Sequence, residues 1–263
     1  MTTLEAAGGS FDFGRVVQRT FRVIADNSVP FLVAALVLVS LPAFVGALFG
    51  LTLGTALGFT FSTYAGARVA GIGGAILQGA VVFAAINKLN GRSYATGEIL
   101  RAGLRFALPL IGLAIVSFAG FFLGFLLLVV PGLILCTMWS VAAPSLITEK
   151  RGVFASLQRS RDLTRGNRWS IFGLLVIYFI LSLVVSTIAQ ALGFASGTTA
   201  TLAARMGGAV APLTPGVVFS TLLTALANGF QSLLAAAGAA SLYYELRSTK
   251  EGLAPDQLAS VFD

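Results

Sequence analysis

Hydrophobic residues in this chain come in long unbroken runs, and the polar residues fall almost entirely between them. A helix needs about 20 apolar residues to cross the hydrocarbon core of a bilayer. The gaps between charges mark six runs of that kind, at residues 29–51, 69–87, 107–130, 132–148, 169–194 and 216–244. Residues 27–67 hold no charge at all, but Arg68 and the glycines before it place the turn between the first two spans near residues 55–68. Pro131-Gly132 interrupts the most apolar region. Proline removes a helix hydrogen bond and glycine tolerates unusual dihedrals, so this pair predicts the turn between spans 3 and 4. Pro144 predicts a kink in span 4, which is short enough for a partly re-entrant hairpin.

The polar stretches carry a second pattern. In Asp12–Asp26, helical spacing puts Phe13, Val16, Val17, Phe21, Val23 and Ile24 on one face and Arg15, Arg19, Arg22 and Asp26 on the other, with Ser10 as N-cap. Such a helix is expected to lie in the membrane interface, apolar side in lipid and arginines near phosphates. VQRT at Val17–Thr20 returns as LQRS at Leu157–Ser160, and Asn27 returns as Asn167, both at an offset of 140 residues. EILRAGLRF at Glu98–Phe106 is a weaker third copy. The expected fold is therefore all-α: a polytopic membrane bundle of about six helices in three hairpins, each preceded by an amphipathic interfacial helix. Its units are 12–88, 96–149 and 153–245, followed by a tail at 246–263, all within one membrane domain.

Composition strengthens this picture. The 263 residues are 57% hydrophobic and 10% charged, where soluble domains carry about 25% charged residues. Of 17 Lys and Arg residues, all but Arg68 and Arg205 fall on one side of the expected spans. The positive-inside rule then makes both termini cytoplasmic. The first apolar run is too long for the core of a signal peptide, so it is expected to stay as a span.

The net charge of +7 follows the membrane surface, and no nucleic-acid partner is expected. Arg15, Arg19, Arg22, Lys150, Arg151, Arg159, Arg161, Arg165 and Arg168 are candidate contacts for anionic lipid headgroups or for an acidic partner protein.

Candidate chemistry is sparse. The chain has no His and a single Cys, Cys136, inside an apolar run, so neither a disulfide nor a Cys/His metal site can form. The proposed spans contain no Asp, Glu, Lys, Arg or His, and the usual catalytic motifs are absent. No enzyme activity and no cofactor are expected. Thr221, Thr224, Asn228 and Gln231 form a polar stripe along span 6, and Gln78 and Gln190 add amides in other spans. These groups either line a pocket for an amphiphile or bond between helices. Glycines four apart, at Gly46, Gly50, Gly54 and Gly58 and again at Gly120 and Gly124, suit close helix contact within one bundle or between copies.

The stretch from LVVPGLILCTMW through SLITEKRGVFASLQRSRDLTRGNRWSIF resembles a bacterial family: the membrane domain attached to some glycerophosphoryl diester phosphodiesterases, with its stand-alone relatives. The matching features are Val130 to Gly132, Trp139, Pro144, Glu149 and the Ser160, Leu163, Gly166 element. The resemblance implies a multi-span helical domain in a bacterial cytoplasmic membrane. It does not imply phosphodiesterase activity, which in those enzymes belongs to a separate barrel rich in Glu and His. The function expected is a non-catalytic, lipid-interacting membrane module or accessory subunit, and the alternative is a transporter or channel for a small amphiphile.

Overall fold

The computed structural model describes residues 11–53, 59–91, 96–195 and 214–252, with 50–53, 59–70, 96, 194 and 195 described by backbone alone. All regular structure among them is helical. The elements are α1 (Phe13–Asp26), α2 (Ser28–Ala35), a π-helical segment (Leu36–Ser40), α3 (Leu41–Leu53), α4 (Phe59–Leu89) and α5 (Thr96–Leu127). They continue as α6 (Val129–Met138), α7 (Ala142–Glu149), α8 (Val153–Thr164), α9 (Arg168–Ala195) and α10 (Pro215–Glu251). Six stretches are long and apolar enough to cross a membrane: Ser28–Phe49, Gly71–Leu89, Gly97–Leu127, Val129–Glu149, Arg168–Gly193 and Pro215–Glu251. Leu108, Phe118 and Leu127 are each at least 70% exposed, as lipid-facing side chains should be and as water would not tolerate in such number.

Several sequence expectations shift by a few residues, each for a local reason. The turn expected at 55–68 is narrower, because α4 is already helical from Phe59; residues 54–58 lie outside the described residues. The N-cap of α1 is Asp12, whose carboxylate accepts from the Arg15 backbone N–H at 3.2 Å; Ser10 lies outside the described residues. The middle interfacial segment is not a separate helix, since Glu98–Phe106 runs without a break into the span as part of α5. Nothing at residues 106–107 interrupts the helix, and Pro109 is carried inside it.

The tip of the middle hairpin is Leu128, not Pro131-Gly132. Leu128 takes extended backbone at φ −170°, ψ 155° and caps α6. Pro131 then falls in the first turn of α6, where a backbone N–H would have no intrahelical acceptor. Gly132 serves packing instead. A Cβ there would meet the Phe125 ring at 2.6 Å, and one on Gly124 would stand 3.0 Å from the Gly132 Cα. Gly120 likewise leaves room for the Trp139 ring. The Gly120/Gly124 pair thus seats α5 against α6 within the chain. Span 4 also breaks earlier than Pro144 suggested. α6 ends at Met138, three residues turn, and α7 restarts at Ala142 with Pro144 in its first turn.

The chain forms two compact units. The first holds residues 1–27, 78–176 and 235–263, and the second holds 28–77 and 177–234. Every charged side chain that is described belongs to the first. Its interior includes Val81, Val82, Val141, Leu146, Leu163, Ile171, Tyr243 and Leu246. In the second, the π-helical segment bulges against its neighbours. A Cβ on Gly73 of α4 would collide with the Leu38 carbonyl, and one on Gly229 of α10 would collide with the Ser40 hydroxyl.

Candidate functional site

Two regions gather polar groups, and they differ in kind. The larger is a set of ion pairs in the first unit, built on carboxylates that end spans. Glu149 closes α7, and Lys150 after it adopts a left-handed conformation with φ 50° that turns the chain toward α8. Glu149 Oε1 accepts from Arg159 Nε at 2.8 Å and from the Tyr243 hydroxyl at 2.9 Å. Its Oε2 pairs with Arg151 Nε at 2.7 Å. The far side of the Arg159 guanidinium donates to Glu251, which also takes Arg247 Nε at 2.8 Å. Lys250 Nζ donates to the Asp162 backbone carbonyl at 2.5 Å. Burial opposes the charge on Arg159, but the hydrogen bonds to Glu149 and Glu251 outweigh it and raise the pKa, so the side chain stays cationic.

Glu245 on α10 is the counterpart for α1, and its side chain is 2% exposed. Arg19 donates to its Oε2 at 2.5 Å, Arg15 Nε stands 3.5 Å from Oε1, and the Asp12 backbone N–H donates to Oε1 at 3.4 Å. The Arg19 guanidinium also lies 4.9 Å from the centroid of the Tyr244 ring, a cation–π contact. Lys88 and Asp26 pair at 3.0 Å at the other end of α1. These bonds change the expected role of α1. Val16, Thr20 and Val23 are buried in the protein, so its apolar face packs on the chain itself, and only Phe21 is largely exposed among the six apolar positions.

Ser160 on α8 repairs the break in span 4. Its hydroxyl donates to the Met138 carbonyl at 2.7 Å and accepts from the Val141 N–H at 3.3 Å. Those are the orphan backbone groups that a helix interruption creates, and one buried hydroxyl satisfies both. α8 buries Ser156, Leu157, Ser160, Leu163 and Thr164 to reach that position. Gly166, at φ +95°, then makes the turn into α9 that a side chain would resist.

The candidate headgroup residues therefore divide. Arg15, Arg19, Arg151 and Arg159 are engaged by carboxylates within the chain. Arg22, Lys150, Arg161 and Arg165 are exposed, with no ion pair among the described residues. Arg168 is half-buried with its Nε unbonded. Arg68, Arg92 and Arg205 fall outside the described side chains.

The candidate amides do not gather. Gln231 Nε2 donates to the Ser186 hydroxyl at 3.1 Å, while its backbone carbonyl takes the Tyr178 hydroxyl at 3.3 Å. Gln190 is exposed and donates one turn back to the Ser186 carbonyl at 3.2 Å. Gln78 is half-buried on α4 in the first unit. Thr224 and Asn228 do share a hollow of about 220 Å³ in the second unit, with Thr221, Ser220 and Ala225 of α10 and Ala43 and Ala47 of α3.

Sequence reasoning missed Glu245, Glu251 and Tyr243 as partners of these cations. The available signal was position: Glu149 and Glu245 are each the first acid after a long apolar run.

A model of the uncharacterised protein family UPF0259 matches residues 59–210, which is more than half of the chain. The chain belongs to that family. A similar UPF0259 membrane protein, from Pectobacterium carotovorum subsp. carotovorum strain PC1, is 26% identical over 134 residues, 51% of this chain and 54% of the relative. The match thus spans about half the length of that protein. No solved structure matches. Family and helices together make this UPF0259 protein a multi-pass membrane protein. They do not show the link to the phosphodiesterase membrane domain that the sequence resemblance implied.

Proposed function

We propose that this UPF0259 protein is a non-catalytic membrane module that holds anionic lipid headgroups at its charged end. The observation that carries the reading is how the cations are divided. Internal carboxylates neutralise Arg15, Arg19, Arg151 and Arg159, whereas Lys150, Arg161 and Arg165 stay exposed with no ion pair among the described residues. Residues 149–168 hold six cations against two carboxylates, and Phe154 and Trp169 are 75% and 86% exposed. An exposed Trp at the start of a span, in a segment that also carries exposed Lys and Arg, is the chemistry of the headgroup layer. Cytoplasmic termini in a bacterial inner membrane agree with this placement, since anionic lipid would then meet the basic segments.

The test is lipid retention by the full chain in native mass spectrometry, with phosphatidylglycerol and phosphatidylcholine offered in equal amounts. Each exposed cation contributes about 1 kcal/mol at an anionic surface, roughly fivefold in affinity. Arg161→Gln with Arg165→Gln should therefore erase most of the preference for phosphatidylglycerol. Equal preference in the double variant sinks the headgroup reading. A protein subunit that co-purifies through the same residues would point to the accessory-subunit role instead. Transport of an amphiphile has less support, because Gln190 and Gln231 turn to Ser186 rather than to a common pathway.

A further inference from the structure

Two of the three basic segments bond their arginine to a carboxylate, and among the described residues the third does not. Arg19 of α1 meets Glu245, and Arg159 of α8 meets Glu149. Both acceptors stand in the same setting, Ser-Leu-x-x-Glu at Ser145–Glu149 and again at Ser241–Glu245. Arg101 on α5 holds the equivalent position in the middle copy. Buried Ala102 follows it, as buried Thr20 follows Arg19 and buried Ser160 follows Arg159. The span before it, α4, closes on Asn87-Lys88-Leu89 and has no acid there. Asn87 donates to the Phe83 carbonyl at 2.9 Å, and Lys88 is taken by Asp26. Arg101 is left exposed without an ion pair among the described residues, and so is Arg105 one turn on. Glu98, earlier on the same helix, bonds to neither of them.

We infer that Arg101 and Arg105 clamp the phosphate of an anionic phospholipid whose acyl chains lie along α5. This site rests on the headgroup reading for its class of ligand and adds a second place where that ligand binds. Depth, face and charge select the occupant. α5 is one helix from Thr96 to Leu127. Counted back from the tip at Leu128, the 20 or so residues that fill the hydrocarbon core end near Leu108. At about 1.5 Å per residue, Arg105 and Arg101 stand about 5 and 10 Å beyond that boundary, at the level of headgroup phosphates. Leu100, Leu104 and Leu108 form the neighbouring row of the same exposed face, whereas Ile99 and Leu110 on the opposite side are buried. The ligand must therefore offer an anion at the arginines and hydrocarbon below them, and a phospholipid offers both. Like charges one turn apart oppose the helix, and a phosphate that accepts from both guanidiniums removes the conflict. The Arg105 guanidinium lies 5.8 Å from the centroid of the Phe106 ring, a cation–π contact that leaves its N–H edge free to donate.

The experiment reconstitutes the full chain in phosphatidylcholine vesicles doped with phosphatidylglycerol that carries a photoreactive group at the start of one acyl chain. Irradiation followed by peptide mapping reads how much label falls on residues 100–108. Each cation at an anionic surface is worth roughly fivefold in affinity, so Arg101→Gln with Arg105→Gln should lower labelling there about 25-fold at low lipid dose. Both side chains are exposed, so the melting temperature of that variant should stay at the wild-type value. Undiminished labelling in the double variant overturns the inference. Equal labelling by photoreactive phosphatidylcholine does the same, because the phosphate charge would then not be read. Displacement of the label by excess inorganic phosphate would make this a free-phosphate site and overturn the lipid assignment. Arg161→Gln with Arg165→Gln should leave the labelling of 100–108 intact. If that variant also keeps its preference for phosphatidylglycerol, the reading of residues 149–168 fails while the α5 site stands; the opposite pair of results fails the α5 site alone.

Discussion

Ser160 shows how much one buried hydroxyl can hold. It bonds to both sides of the interruption between α6 and α7, at Met138 and Val141, from α8, which follows only after the whole of α7. Ser160→Ala would leave a buried carbonyl and a buried N–H unpaired, a cost of about 1–3 kcal/mol for each such group. The expected result is a clear fall in melting temperature in detergent, with Ser160→Thr losing less because it keeps the hydroxyl. An Ala variant that melts with the wild type would mean that the break is satisfied in another way. The sequence could name Ser160 only as one position of a repeated motif. Its role needs the break at residues 139–141, and the residues themselves pointed to Pro144 instead. Arg19 and Arg159 are the same case in charge. The 140-residue offset placed them at equivalent positions, and each proves to be bonded to a carboxylate at the end of a span. Which carboxylate takes which arginine depends on where separate helices meet, and spacing along the chain does not carry that.

At the scale of elements, spans were the easiest feature to read and helix ends the hardest. Every expected run became a long apolar helix or helix pair, because run length alone sets what a bilayer accepts. The ends moved wherever a glycine or proline had two uses. Gly132 and Pro131 read as a turn but serve the face of α6 and its first turn. Gly73 read as nothing in particular, yet α4 leaves it bare for the Leu38 carbonyl of the π-helical segment. Gly73→Ala should therefore be among the most damaging small changes in the chain. Its Cβ meets backbone, which cannot rotate away as a side chain would. Overpacking of that kind costs about 1–3 kcal/mol and often more against a rigid wall. Gly74→Ala, one residue on with open space around it, is the control and should melt like the wild type. Equal melting of the two variants would disprove the close approach.

For the whole molecule, the division of charge is the dominant fact. By sequence the second unit holds two charged residues, Arg68 and Arg205, and the first holds all the others. The positive-inside argument predicts that a reporter fused after Asp263 is active only in the cytoplasm. A reporter active on the other side would reverse the orientation and move the proposed headgroup contacts to the opposite leaflet. Sequence by itself determined the class of this protein: six spans, a basic side and a nearly uncharged one, since these follow from transfer free energy summed residue by residue. Tertiary structure decided which cations remain available. α1 and α8 have the amphipathic pattern of helices that lie in lipid, but each presses its small polar and apolar face onto the protein and spends arginines on Glu245, Glu149 and Glu251. Amphipathicity states that a face must be covered and leaves open whether lipid or protein covers it. That choice is made by the carboxylates and hydroxyls waiting on other helices, and only folding brings them within reach.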